Sequence, residues 1–181
     1  MAHQIFISHS PDDRNVADAA CAAFEARGFR CWIAPRDLPL GGDPGDAVAG
    51  AIARCRVLVL ILSSRSAEAP HLVREAERAL AREVPILVFR IEEAAPSPAL
   101  GRAIAGFDWL DALTPPVAPH LDYLGDRVAR LLDELPKGRE RTMPPQPFRP
   151  AARGTPAWLP IAGAGVAGLL AIALAAMYGG R

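Results

Sequence analysis

From Val57 to Leu62 the chain runs Val57-Leu58-Val59-Leu60-Ile61-Leu62 with no polar interruption, and it stops at Ser63-Ser64. An apolar run of this kind reads as a strand buried on both faces, in the middle of a parallel sheet. Shorter apolar stretches at 4–8, 29–33, 85–91 and 107–110 read as four more strands, the last at an edge. Between them apolar residues recur at helical spacing. Val16, Ala19, Ala20, Ala23 and Phe24 make one stripe, and Leu72, Val73, Ala76 and Leu80 another. Leu121, Leu124, Val128, Leu131 and Leu132 make the inward face of a last helix over 119–135. Helix starts are marked by a capping side chain followed by proline: Ser10-Pro11, Asp43-Pro44 and Ser97-Pro98. Pro70 opens the helix that follows the central strand, Gly28 ends the first helix, and the helix from Asp43 runs through Ala53. The Ser97-Pro98 helix is short and ends near Gly106.

Strands alternate with helices, which predicts a flavodoxin-like α/β fold: a five-stranded parallel sheet of order 2-1-3-4-5 with helices on both faces. In that order the topological switch lies between the first and third strands. Ser8, His9 and Ser10 would meet Ser63 and Ser64 there, with Glu75 near the start of the next helix.

The chain has 181 residues, with 20 Lys+Arg against 20 Asp+Glu. The balance gives no general attraction to nucleic acid. Cys21, Cys31 and Cys55 are too few and too scattered for a disulfide framework, and they fit reduced thiols in a cytosolic domain. The first strand begins by residue 4, so no signal peptide is expected. Composition divides the chain into a folded domain at 1–135, a linker at 136–156 and an apolar tail at 157–178. The linker holds six prolines, five basic residues and one acid, Glu140, a composition that favours an extended segment. The tail is 22 residues without a charge, long enough to span a bilayer. Trp158 and Tyr178 sit at its ends, and the linker basics face Arg181 alone across it. The positive-inside bias therefore places the N-terminal domain in the cytoplasm, on a single-pass membrane protein. Small residues four apart in the tail, Gly163 with Ala167 and Ala164 with Gly168, allow close helix approach and self-association.

Several chemistries are missing from the sequence. It contains neither G-x-x-x-x-G-K-[ST] nor G-x-G-x-x-G. His3, His9, His71 and His120 show no metal-ligand spacing with the cysteines. A phosphate-accepting receiver domain has an aspartate at the end of its third strand, where Ser63 stands here. What remains is Glu75, with His71 four residues before it on the same flank of the helix. By itself such a glutamate is more often an ordinary solvated helix carboxylate, here beside Arg78. Arg36 and Asp37 are more often loop charges than a site, Ser63 and Ser64 read also as a strand end, and His9 as a surface residue. Trp32 and Trp109 read as packing residues.

Three motifs in this order resemble the Toll/interleukin receptor (TIR) domain family, particularly its bacterial members. Ile5-Phe6-Ile7-Ser8-His9-Ser10 is similar to the family's first-strand box. Ala34-Pro35-Arg36-Asp37-Leu38-Pro39-Leu40-Gly41 is similar to its long loop after the second strand. Pro70-His71-Leu72-Val73-Arg74-Glu75 is similar to the helix that carries the catalytic glutamate in members that cleave NAD. The resemblance covers Ile5 to about Leu132. It implies that Glu75 is catalytic and that Ser8, His9, Ser10, Arg36, Ser63 and His71 bind NAD, which is a substrate and not a resident cofactor. It also implies self-association through the TIR domain. Two positions depart from the family pattern: Ala69 stands where members often have serine, and His71 where they often have tryptophan. The first weakens the helix cap and the second alters stacking on a ligand. Two functions follow from the resemblance. One is a membrane-anchored signalling or defence effector that cleaves NAD at the nicotinamide–ribose bond. The other is a non-enzymatic adaptor that recruits other TIR domains in signal transduction.

Overall fold

In the computed structural model the described residues are 3–135. The linker at 136–156, the apolar tail at 157–178 and the small-residue pairs within it lie outside them. Among the described residues no helix is long and apolar enough to cross a membrane.

Five parallel strands form one sheet: β1 (Ile5–Ser8), β2 (Cys31–Ile33), β3 (Val57–Leu62), β4 (Ile86–Arg90) and β5 (Asp108–Asp111). Their order is β2-β1-β3-β4-β5, the order expected from the alternating pattern. The helices are α1 (Arg14–Ala26), α2 (Pro44–Arg54), α3 (Pro70–Leu80), α4 (Pro98–Ile104) and α5 (Ala118–Glu134).

β3 shows how the sheet makes two cores. Successive side chains of a strand point to opposite faces. Val57, Val59 and Ile61 pack with residues of α1 and α5, and Leu58, Leu60 and Leu62 with residues of α2, α3 and α4. All six are fully buried. β1 obeys the same rule: Ile5 and Ile7 belong to the first core and Phe6 to the second.

Local chemistry sets the element ends. Asp43 accepts a hydrogen bond from the Asp46 backbone N–H and Ser97 from that of Leu100, so α2 and α4 start at capped prolines. α3 starts at Pro70 behind Ala69, which has no side chain to cap it. Gly28 takes φ +82° after α1, a conformation open to glycine at little cost.

Four details differ from the sequence expectation. The first helix begins with a 3-10 turn, Pro11–Asp13, because Ser10 accepts from the Asp12 N–H two residues on. β2 is three residues long, and just ahead of it the Arg30 carbonyl accepts from the N–H groups of Gln4 and Ile5. Leu80 is 42% exposed: the buried line of α3 runs Leu72, Ala76, Ala79, and Leu80 lies about 100° further around the helix. Ala19 is likewise exposed, and α1 buries Ala17, Ala20, Cys21 and Phe24.

Candidate active site

Alternation along β1 decides what stands at its C-terminal end. Ser8 shares a face with Phe6, the face covered by α3. Its hydroxyl donates to Glu75 Oε2 at 2.6 Å. That is a short contact of the charge-assisted kind when the carboxyl is ionised. A second tie joins the same two regions. His71, in the first turn of α3, lies with Nε2 3.1 Å from the His9 carbonyl oxygen. A carbonyl only accepts, so Nε2 carries the proton.

The third wall comes from β2. Phe6 and Trp32 are partners in the β1–β2 register, and their rings stack at 4.9 Å between centroids with planes 9° apart. Ala34 and Pro35 continue from β2 into the rim, and Pro11 and Arg14 close the side facing α1. Together with Ile7, His9, His71 and Glu75 they enclose a cavity of about 360 Å³. Ligand sites of small molecules lie in this range, at about 300–1,000 Å³. The cavity sits beyond the carboxyl ends of β1 and β2, where open α/β sheets bind ligands.

Burial holds the Glu75 carboxyl above the ordinary carboxylate range. The Ser8 hydroxyl and the charges of His71, Arg78 and Arg74 pull the other way. Burial also pushes His9 below the usual imidazole range, which favours a neutral ring beside the cavity. Ser8→Ala removes the hydroxyl that favours the charged carboxylate, so the Glu75 titration should move further upward. NMR titration of the Glu75 side-chain carboxyl reads this directly, and a midpoint unchanged from wild type contradicts the coupling.

The structure brings Ser8, His9, His71 and Glu75 together and sends four other expected residues elsewhere. Ser63 follows Leu62 and so faces the opposite side of the sheet, toward α1. There it is fully buried and donates to Asp13 Oδ2 at 2.7 Å. Desolvation raises the Asp13 pKa above its ordinary value, and the Ser63 hydrogen bond opposes that. Ser10 is buried as the cap of the 3-10 turn and does not line the cavity. Arg36 turns to α1, pairing with Glu25 at 2.9 Å and with Asp37 at 2.9 Å. Ser64 is exposed and donates to Glu92 at 2.6 Å. Trp32 and Arg14 are among the lining residues that sequence reasoning did not assign to the site. Trp32 becomes visible as a wall only through its register with Phe6. Arg14 carried one signal: it opens the helix after β1, on the edge where such sheets bind ligands.

A family model described as TIR domain matches residues 5–120. Among solved structures, the TIR domain of the Toll-related receptor TRR-2 from Hydra magnipapillata superposes with a TM-score of 0.59 at 15% identity. The match covers 71% of this chain and 99% of that one. The TIR domains of the activated Roq1 resistosome, which directly recognises the pathogen effector XopQ, superpose with a TM-score of 0.59 at 12% identity. Here 70% of this chain and 99% of the other are covered. At these identities the likeness is one of fold. No curated protein matches the chain.

Proposed function

Because this chain belongs to the TIR domain family, we propose that it is a signalling or defence effector that cleaves NAD at the nicotinamide–ribose bond, with Glu75 as the catalytic residue. The observation that carries this reading is the Glu75 carboxylate, held at 2.6 Å by Ser8 on the wall of an apolar cavity.

The chemistry asks for little more than a placed carboxylate. In NAD the nicotinamide ring is already a cation and leaves as a neutral molecule, so no strong general acid is needed. Positive charge develops at the ribose C1′, as in other glycoside cleavages. An ionised Glu75 against the ribose hydroxyls stabilises that charge, and the apolar Phe6–Trp32 wall strengthens the effect by excluding water. Burial favours a neutral His9, which supplies a polar contact without adding a positive charge that would oppose the transition state, and the His9 carbonyl holds the His71 ring through Nε2. Arg14, at the cavity side facing α1, is placed for the diphosphate. Water then attacks C1′ to complete hydrolysis, or a hydroxyl of the substrate cyclises it.

Two further features belong to the proposal. Leu40, at the tip of the loop after β2, is fully exposed beside Gly41 and Gly42. An isolated apolar side chain on a loop tip suits packing against a second copy, and activity then depends on local density. The uncharged segment at 157–178 supports a single membrane anchor, with the TIR domain on the cytoplasmic side where NAD is present.

The second reading, a non-enzymatic adaptor, is favoured by one observation. The position four before the glutamate is His71, and its Nε2 is engaged by the His9 carbonyl, so it offers a ligand less stacking surface than a tryptophan.

The full chain reconstituted at rising density in lipid vesicles separates the two readings. NAD loss that grows faster than protein amount supports the effector, and no loss at any density supports the adaptor. In the same preparation the protein should float with the vesicles. Recovery in the soluble fraction contradicts the anchor and leaves the cleavage assay standing.

A further inference from the structure

On the far side of β2 from the cavity, three chemically reactive groups converge around one guanidinium. Cys21 on α1, Cys31 at the start of β2 and Glu25 on α1 place their sulfur and oxygen atoms within 4.8 Å of one another. Arg36 donates through Nη1 to Cys21 Sγ at 3.2 Å, and the same nitrogen pairs with Glu25 at 2.9 Å. Through Nη2 it donates to the Cys31 carbonyl at 3.2 Å. A metal cation is disfavoured in this nest because the guanidinium, a permanent positive charge, already lies against the sulfur and the carboxylate. The same charge favours a thiolate.

We infer that Cys21 and Cys31 are a dithiol that hydroperoxides oxidise to an intramolecular disulfide, with Cys21 as the attacking thiol and Cys31 as the resolving one. The two roles follow from the contacts. The Cys21 sulfur receives the Arg36 donor, and the neighbouring Cys31 thiol and the Arg36 charge hold its pKa below the ordinary thiol value against burial and the Glu25 carboxylate, to which the thiol donates at 3.6 Å. Cys31 is displaced upward by its hydrogen bond to Cys21 and by burial, so it keeps its proton and acts second. Cys21 and Cys31 are buried, 2% and 7% exposed. Cys21 nevertheless contacts the side chains of Arg36 and Glu25, which are 42% and 45% exposed. Cys31 borders an open surface cavity with Arg30 and Asp37.

The steps balance. The Cys21 thiolate attacks one peroxide oxygen, the O–O bond breaks, and the departing hydroxide (or alkoxide) takes a proton. Cys21 becomes a sulfenic acid, a two-electron oxidation, and the peroxide is reduced to water (or alcohol). The Cys31 sulfur then attacks the Cys21 sulfur, the S–O bond breaks, and hydroxide leaves with the Cys31 proton as water. Closure brings the sulfurs from within 4.8 Å to about 2.05 Å. The bond joins α1 to the strand that carries Trp32, and it removes the sulfur acceptor of Arg36 beside the rim residue Pro35.

Cys55 is the internal control. It is buried and pushed up to about 12 by desolvation, and its thiol donates to the Ile52 carbonyl at 3.2 Å. The experiment treats the full reduced chain with hydrogen peroxide near equimolar amount, then maps peptides without reduction. The expected product is a Cys21–Cys31 link, reversed by dithiothreitol, with Cys55 still open to alkylation after unfolding. Three free thiols after treatment, or a link through Cys55 or between copies, overturns the inference. Cys31→Ser is a near-isosteric second variant. It should halt at a Cys21 sulfenic acid that dimedone captures, and capture at Cys55 or nowhere overturns the assignment of Cys21. Arg36→Ala should slow oxidation about tenfold by lowering the thiolate fraction. An unchanged rate overturns the part given to Arg36.

Discussion

Leu60→Ala is expected to cost about 2–5 kcal/mol of stability and to lower Tm by roughly 8–20 °C. Leu60 sits in the middle of the central strand with no exposed surface, between Ser8 in the β1 register and Val88 in the β4 register. Its side chain packs in the core beneath α2, α3 and α4. Rigid neighbours on both sides of the strand leave the lost methyl groups as a cavity that the site cannot collapse. Domains are stable by only about 5–15 kcal/mol, so the substitution removes a large fraction of the total. Leu40→Ala is the comparison, because Leu40 is fully exposed and its loss should stay within about 0.5 kcal/mol. Urea unfolding of both variants measures the difference. Equal midpoints contradict the placement of β3 at the centre of the sheet.

Glu75→Gln should reduce NAD cleavage by about a thousandfold while the fold survives. The substitution keeps the shape and an oxygen acceptor for Ser8, and it removes the negative charge. Placed electrostatic groups of this kind are worth about 2.7–4 kcal/mol in the transition state. Stability responds in the opposite sense. The folded state raises the Glu75 pKa above its unfolded value of 4.5 through burial. Its contribution to stability is therefore fully present below 4.5 and is lost as pH rises through the raised folded value. Above that window the ionised carboxylate is held less comfortably in the fold than in the unfolded chain. Glu75→Gln lacks this penalty, so its Tm should equal or exceed that of wild type at neutral pH, with the gain disappearing below the ordinary carboxylate range. A lower Tm in the variant at neutral pH contradicts the desolvated placement of the side chain.

The fold was largely legible because its strongest signal is composition over a whole strand. Six apolar residues in a row at 57–62 demand cover on both faces, and the capped prolines at 11, 44 and 98 place the helices between strands. Alternation then carries the information further, since it puts Ser8 with Phe6 on the face covered by α3. Ser63 escaped because the grouping of β1 and β3 ends at a switch point says which residues are near, and not which way they point. Leu62 takes the α3 side, so Ser63 turns to Asp13. Arg36 escaped for a different reason. A long side chain in a loop goes to the strongest partners within reach, and Glu25, on a helix eleven residues earlier, lies outside any local pattern. Trp32 belongs to the wall of the cavity through a strand register that no local spacing encodes.

The proposed function assigns cleavage of the nicotinamide–ribose bond to one carboxylate, Glu75. Its most direct test is the release of nicotinamide from NAD, followed by mass spectrometry, with the full chain crowded on vesicles. Wild type and Glu75→Gln are run side by side at equal amounts of folded protein. Wild type should release nicotinamide in step with NAD loss, and Glu75→Gln should fall to about a thousandth of that rate. Equal release by the two proteins, or none from either, contradicts it.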